Sequence, residues 1–410
     1  MTAPAGADVI LTANGPGEVS GWLAPVALRL RRARERQALP LRLVAWVPPC
    51  NFASGRELEM VRALGLFDAV FDPPALWRLL LWGRLPQGYT PAPRGLVLFL
   101  GGDLFYAAAA ARRLGFSAMA YTEGRARWLG VFRRFFVPDP WAARKAMRMG
   151  APADRVEVVG DLVVDAVLDS VGPRECGGGG RGGQGGDGPP VVGLFAGSRP
   201  FEVRWVLPLM LQAAEEVARA MEGRVRFRLV VSPFADRQLV RQVLQQHLPA
   251  AVRVEVEEAH QRRAMADCTV AVTVPGTVTA ELAVLGVPTV TLLPLHRPEL
   301  IPLEGLPGLV GRLPVVGPAL KRQVVRRAAR RLGPVSLPAR RAGRALGPEL
   351  VGRVTAAGVA GAVVELLRDG QARARLAREL RQAMGPAGAA DRVVGRVLEH
   401  LGMAGGASTG

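Results

Sequence analysis

Residues 191–202 read Val-Val-Gly-Leu-Phe-Ala-Gly-Ser-Arg-Pro-Phe-Glu. The first five are apolar and free of charge, which suits a strand buried on both faces. The Gly-Ser-Arg-Pro stretch ends that strand as a loop, and helical spacing begins at Glu202 and runs to 221. A buried strand, a glycine-bearing turn and a helix in succession open a parallel β-α-β unit.

The same theme extends in both directions. Downstream, strands are expected at 226–231, 253–256, 269–274 and 289–293, with helical connections between them. Upstream, the strand candidates are 8–13, 42–47, 95–100, 117–121 and 135–137. Helices are expected at 22–36, 57–64, 105–114 and 140–149. Residues 172–190 hold ten glycines in nineteen positions and can bury no face, so they read as a linker or loop. The expected organisation is an α/β chain of two doubly wound Rossmann-like domains facing a cleft. They span 1–171 and 191–356, joined by 172–190 and followed by a helical segment at 357–410. Apolar residues at Val359, Val363, Leu366 and Leu367 give that last segment a face to pack on either domain.

A length of 410 residues suits two to three domains, and 49% hydrophobic residues exclude wholesale disorder. The formal charge of +18 suggests nucleic acid or an anionic membrane as partner. Lysine occurs only at Lys145 and Lys321, however, and the other 51 basic residues are arginines. Asparagine and isoleucine are equally rare, which reads as coding bias, so arginine identity alone says little about phosphate chemistry. The arginine-rich stretches 29–36 and 322–331 lack any nucleic-acid-binding motif, and no nucleic-acid partner is expected. Cys50, Cys176 and Cys268 are widely spaced, which argues against a disulfide framework or zinc site. The N-terminus lacks signal-peptide character and no apolar run reaches spanning length, so a cytoplasmic protein is expected, peripheral on the inner face of the membrane.

Ligands of open α/β sheets bind at the carboxyl ends of strands, which singles out four loops. The first, Asn14-Gly-Pro-Gly-Glu-Val-Ser-Gly21, lets backbone approach a ligand at Gly15 and Gly17. Ser20 stands where a dinucleotide fingerprint needs its third glycine, which argues against a nicotinamide enzyme. Glu18 either caps the helix or binds hydroxyl groups of an acceptor. The second loop, Leu100-Gly-Gly-Asp-Leu104, offers Asp103 as a helix cap or as a general base. In the third, Gly197 and Ser198 supply backbone N–H groups and Arg199 a cation, a combination suited to a diphosphate leaving group. The fourth, Val274-Pro-Gly-Thr-Val-Thr-Ala-Glu281, turns at Gly276 and Thr277 into a helix whose start can hold phosphate. Glu281 there accepts from a ribose diol or merely complements the helix dipole. Histidines are scattered, and Asp161 with Asp165 form only a weak carboxylate pair, so no metal and no cofactor are expected.

In order along the chain, these motifs resemble the lipid-A-disaccharide synthases, glycosyltransferases of the GT-B fold. Pro16-Gly-Glu-Val-Ser-Gly-Trp22 is similar to the family's Ala-Gly-Glu-Ala-Ser-Gly-Asp, and Leu194–Arg199 to its Leu-Leu-Pro-Gly-Ser-Arg. Pro275–Glu281 looks like Ser-Gly-Thr-Ala-x-Leu-Glu. Val335-Ser-Leu-Pro338, Ala342-Gly-Arg344 and Pro348-Glu-Leu350 match a later stretch, and Asp103 matches an aspartate the family needs for activity. The chain departs at Trp22, Ala339 and Gly352, at Gly160-Asp-Leu162, and across 122–128, positions that concern sugar, acceptor and nucleotide contacts.

The resemblance implies inverting transfer of a sugar from a UDP-sugar to a lipid-linked or membrane acceptor. The family reaction joins UDP-2,3-diacylglucosamine to 2,3-diacylglucosamine 1-phosphate. Asp103, Glu18 and Arg199 are then the expected catalytic residues. Gly197, Ser198, Arg199, Gly276, Thr277 and Glu281 hold the nucleotide, and Gly15, Gly17, Glu18 and Ser20 the acceptor. Trp77, Leu79–Trp82, Trp128, Phe132 and Phe135, mixed with Arg78, Arg84 and the arginines of 125–134, suit an anionic interface. A homodimer is a further expectation. The alternatives are a UDP-sugar 2-epimerase on the same fold, and a non-catalytic basic protein binding anionic membrane or nucleic acid.

Overall fold

The strand–helix alternation builds two all-parallel sheets in a computed structural model, which describes residues 6–49, 56–172, 188–295 and 333–403. Most of the glycine-rich stretch (173–187), Cys50, Cys176 and the arginine-rich stretch 322–331 lie outside the described residues. The chain divides into two units. Met1–Asp169 and Gly385–Gly410 form one, and Ser170–Met384 the other.

The first unit contains β1 (Ala7–Thr12), β2 (Leu41–Trp46), β3 (Ala69–Phe71), β4 (Gly95–Phe99), β5 (Ser117–Tyr121), β6 (Phe132–Val137) and β7 (Val156–Val158). They lie in the order β3-β2-β1-β4-β5-β6-β7 among the described residues. The second unit contains β8 (Val191–Phe195), β9 (Arg226–Val230), β10 (Val254–Glu257), β11 (Val270–Thr273), β12 (Thr289–Pro294) and β13 (Glu349–Gly352). Their order is β10-β9-β8-β11-β12-β13. Strand order therefore reverses between β1 and β4 in one sheet and between β8 and β11 in the other. The two doubly wound α/β sheets expected from sequence are present.

Burial explains which strands the sequence makes visible. Every residue of β1, β4, β8 and β11 is buried. The unforeseen β3, β7 and β13 have three or four residues each and lie at sheet edges. With one side open they need no sustained apolar run. Each sheet carries its own core. Ile10, Val97 and Phe99 pack with Leu76, Leu79, Ala107 and Ala111 in the first unit. Leu194, Leu229 and Val272 pack with Leu207, Met210 and Val363 in the second.

The end of the chain is shared between the units. Helices Ala356–Arg368 and Gly370–Met384 belong to the second unit, where Val359, Val363, Leu366 and Leu367 join its core. The last helix, Ala389–His400, belongs to the first and packs on the helix Ala24–Gln37. Its N-cap, Gly388, has no side chain to satisfy the orphan N–H groups of the first turn. Asp165 does so from elsewhere in the chain, accepting from Gly388 N and Ala390 N at 2.7 Å each. Arg29 pairs with Asp165, Asp169 and Asp391 beside it. Asp161 accepts from Val163 N (2.9 Å) at the start of the helix Leu162–Val171, while Asp165 turns to the last helix. The two carboxylates thus serve different helix starts.

Asp165→Ala leaves two N–H groups without their acceptor, one fully buried, and is expected to cost about 2–4 kcal/mol by urea denaturation. A loss below about 0.5 kcal/mol would show that the docking is held by apolar packing alone. Burial, outweighing the two N–H groups and Arg29, holds the Asp165 carboxyl above its ordinary value. The folded state therefore binds more protons than the unfolded one between the two pKa values, and stability falls as pH rises through that window. The stability gap between wild type and Asp165→Asn is accordingly expected to widen as pH is lowered from 7 toward 4. Denaturation at several pH values checks the sign.

Candidate functional site

The four loops singled out by sequence leave the two strand pairs at which the sheets reverse. Thr12 lies opposite Phe99, and Thr273 opposite Phe195, so the exits of β1 and β4 adjoin, as do those of β8 and β11. Reversal sends successive crossover connections to opposite sides and leaves a crevice at the carboxyl ends of the central strands.

At the β1 exit, a short helical turn Pro16–Glu18 and one π-helical turn Val19–Leu23 lead into the helix Ala24–Gln37. Gly15 is the N-cap, Pro16 follows it and Glu18 is the third helical residue. The Glu18 carboxylate accepts from Gly15 N at 2.9 Å and Asn14 N at 3.5 Å. Its other oxygen accepts from Gly102 N, at the β4 exit, at 3.1 Å. Asn14, itself buried, donates through Nδ2 to Pro49 O beyond β2 (3.1 Å). Three strand exits are thereby tied together. A β-carbon at Gly101 would overlap the Glu18 carboxylate, so glycine is required there. Burial pushes the Glu18 carboxyl up, opposed by these N–H groups and by the Arg125 charge. Between the capping and hydroxyl-binding readings of Glu18, the geometry accounts for the cap and adds the tie to Gly102. Ser20 Oγ donates to Pro16 O (3.1 Å) inside the same turn, and Gly17 lies within the helix start.

Asp103 stands at the β4 exit as N-cap of the helix Leu104–Leu114, accepting from Phe105 N at 2.8 Å through Oδ1. It is exposed, and among the described residues Oδ2 has no hydrogen-bond partner. Burial first, and the Asp103 charge second, hold the Tyr106 phenol above its usual value.

An aromatic series runs beside Asp103. Trp77 meets Tyr106 at 5.6 Å between ring centroids, Tyr106 meets Phe105 at 5.5 Å, and Phe105 meets Trp128 at 5.6 Å. Leu81 and Trp82, at the end of the helix Pro73–Trp82, are 58% and 65% exposed, while Leu76 and Leu79 on its other face are buried. Arg78, Arg84, Arg125 and Arg127 are exposed around them. Phe132 and Phe135 do not join this surface, contrary to expectation, because β6 turns both into the core. Among the described residues no helix is long and apolar enough to cross a membrane.

In the second unit, the β8 exit repeats the device of the first. Arg199 is the N-cap of the helix Pro200–Ala220, with Pro200 first and Glu202 third. Ser198 N and Arg199 N both donate to Glu202 Oε2 at 3.0 Å. Gly197 has φ +93°, and a β-carbon there would overlap the Glu202 carboxylate. The Ser198 N–H, expected to face a diphosphate, thus joins Arg199 N in holding an internal carboxylate, which burial raises above its ordinary pKa. The Arg199 side chain is 52% exposed, with Nη1 3.8 Å from Glu202 Oε1. Glu202 was not among the residues expected from sequence, yet Pro followed two residues later by Glu is a helix-start signature.

At the β11 exit, exposed Gly276 caps the helix Thr277–Leu285. Thr279 Oγ1 donates to Gly276 O (2.7 Å) and accepts from Leu337 N (3.2 Å). Glu349 in turn accepts from Val335 N (2.8 Å), Ser336 N (3.0 Å) and Ser336 Oγ (2.7 Å). The Gly-Thr, Val-Ser-Leu-Pro and Pro-Glu-Leu motifs, separated in sequence, form one connected structure. Glu281 is buried against Arg262, whose Nε donates to Oε1 at 3.0 Å and whose Nη2 pairs with the same oxygen at 2.9 Å. Arg262 has no motif to announce it; only its position after folding identifies it. Within the second unit, Gly197, Ser198 and Arg199 therefore adjoin the loop of Gly276, Thr277 and Glu281. Within the first, Gly15, Gly17, Glu18 and Ser20 adjoin Asp103. Cys268 is buried, with its thiol pushed up to about 12, and is unsuited to nucleophilic work.

The family model described as lipid-A-disaccharide synthetase matches residues 187–296, which contain the β8 and β11 loops. A lipid-A-disaccharide synthase of Thiobacillus denitrificans is 38% identical over 135 residues, 31% of this chain and 35% of that protein. The synthase of Geobacter metallireducens is 32% identical over 220 residues, 52% of this chain and 49% of its own length. The chain thus spans about a third to a half of the curated relatives it matches. Among solved structures, a UDP-N-acetylglucosamine 2-epimerase superposes with a TM-score of 0.57 at 16% identity, covering 98% of this chain and 97% of that one. The UDP-GlcNAc 2-epimerase of Neisseria meningitidis bound to UDP-GlcNAc gives 0.57 at 14%, over 96% and 100%. At such identities the likeness establishes the two-sheet α/β fold of the GT-B type. Joined to the ordered motifs and their placement at the sheet reversals, the matches show a similarity to the lipid-A-disaccharide synthases that is concentrated on the second unit.

Proposed function

We propose that this protein is a glycosyltransferase moving a sugar from a UDP-sugar to a hydroxyl of a lipid-linked acceptor, with inversion. The observation that carries the reading is Asp103, an exposed carboxylate at the β4 exit with Oδ2 unengaged among the described residues, beside an exposed aromatic and basic surface. A hydroxyl needs a base at the moment it attacks, and a lipid acceptor needs apolar surface nearby. The family resemblance supports both.

In this reading, Oδ2 of Asp103 takes the proton of the acceptor hydroxyl as its oxygen attacks the anomeric carbon. The bond from that carbon to the UDP oxygen breaks on the opposite face. Arg199 and the helix start at Gly276–Thr277 stabilise the negative charge that develops on UDP. Glu281 accepts hydrogen bonds from the ribose hydroxyls. Glu18 and Glu202, both engaged by backbone N–H groups, hold the loops rather than touch the reacting atoms. The lipid-A precursors are the first substrates to try, and Trp22, Ala339 and Gly352 direct the search toward related lipid-linked acceptors as well.

Asp103→Asn keeps the helix cap and is expected to lower kcat by about 10²–10⁴-fold. Arg199→Ala is expected to lower it by about 10²–10³-fold. Sugar transfer is followed by mass spectrometry of lipid extracts, with circular dichroism to check folding. Full activity in both variants would sink the proposed roles, and UDP-sugar turnover without acceptor would favour epimerisation.

The surface around Trp77, Leu81, Trp82 and Trp128 is proposed to rest on an anionic bilayer, its arginines supplying long-range attraction. Flotation with phosphatidylglycerol vesicles at low salt is expected to carry the wild type. Leu81→Ser with Trp82→Ser should at least halve the floated fraction; an unchanged fraction would assign attachment to another surface.

A further inference from the structure

Glu281, assigned to the ribose hydroxyls in the proposed reaction, is itself held by Arg262, a residue with no role in that reaction so far. Glu281 sits one turn into the helix Thr277–Leu285, at the carboxyl end of β11. Arg262 comes from the short helix Gln261–Ala266, on the opposite side of that strand in sequence. Both side chains are mostly enclosed, at 17% exposure for Arg262 and 12% for Glu281. Nε of the guanidinium donates to Oε1, Nη2 lies 2.9 Å from the same oxygen as an ion pair, and Nη1 donates to Ser170 Oγ at 2.8 Å. Among the described residues Oε2 accepts no hydrogen bond.

A guanidinium facing a carboxylate for stability alone commonly meets both oxygens with its two parallel N–H groups. Here both guanidinium nitrogens approach one oxygen, and the other accepts nothing among the described residues. The planar fork sets the carboxylate's rotation, and the Ser170 contact anchors the fork. We infer that Arg262 is a positioning residue: it locks Glu281 so that Oε2 stays available to the hydroxyl pair of a nucleotide ribose. This rests on the proposed nucleotide role of Glu281 and adds the residue that makes that role effective. Without Arg262, the Glu281 side chain regains its rotamers and has to be ordered at the moment of binding.

The test is isothermal titration of the full-length protein with UDP and with 2′,3′-dideoxy-UDP, which lacks both hydroxyls. Wild type is expected to bind UDP about tenfold tighter than the dideoxy compound, as for a lost hydrogen bond to a charged group. Glu281→Gln and Arg262→Ala are each expected to bring that ratio to within about twofold of one, leaving dideoxy-UDP affinity nearly unchanged. The double variant should lose nothing further, because both act through one contact. Arg262→Lys, which keeps the charge but lacks the fork, should retain only part of the preference. An Arg262→Ala or Arg262→Lys protein that weakens both ligands equally would assign Arg262 to structure alone and overturn the inference. So would a variant that keeps the full preference while Glu281→Gln loses it. A wild type that binds UDP without preferring it to the dideoxy compound, or does not bind UDP, would overturn the Glu281 ribose role itself and the inference with it.

Discussion

Parallel strands joined by right-handed crossovers can stack helices on one face only as long as strand order advances in one direction. When the order reverses, the next helix covers the other face, and the two central exits are left uncovered between diverging connections. Each sheet reverses once among the described residues, at β1/β4 and at β8/β11. Every loop with candidate chemistry leaves one of those four strands. The remaining strands extend the sheets and bury the cores that hold these exits at fixed spacing.

Uncovered exits expose backbone N–H groups at helix starts, where the dipole favours negative charge. The chain meets this with its own carboxylates. Glu18 and Glu202 each stand third in a helix that begins with proline, and each takes two or more N–H groups of the preceding loop. Enclosing a carboxylate costs several kcal/mol in lost hydration, and charge-assisted hydrogen bonds return about 1.5–3 kcal/mol each. The raised pKa of both groups shows that dehydration remains the larger effect. The result is a pair of stiff loops, glycine-lined because a β-carbon at Gly101 or Gly197 would strike the carboxylate. Asp103 and Arg199, carried on those loops, are left exposed.

Much of the fold is legible in the residues. Runs such as 191–195 and 95–99 are apolar because both faces of a central parallel strand are covered. The edge strands β3, β7 and β13 escape notice because half-exposed segments of three or four residues leave no pattern. Helix starts are legible too, since Asp103, Asp72 and Asp139 cap locally, each accepting from an N–H group two or three residues ahead. The exposed aromatic surface is only partly legible. Composition places Trp128 and Phe132 in one basic aromatic stretch, but strand burial takes Phe132 into the core and leaves Trp128 outside.

Local physical chemistry along the chain determined the alternation of strand and helix, the four glycine-bearing exits and the Pro-x-Glu helix starts, because each depends on residues a few positions apart. Tertiary structure decided which exits adjoin. It joined Glu18 to Gly102, 84 residues away, Arg262 to Glu281, 19 away, and Asp165 to Gly388, 223 away. Such pairings follow from strand order and the direction of each crossover. No sequence window of helical or strand length contains that information.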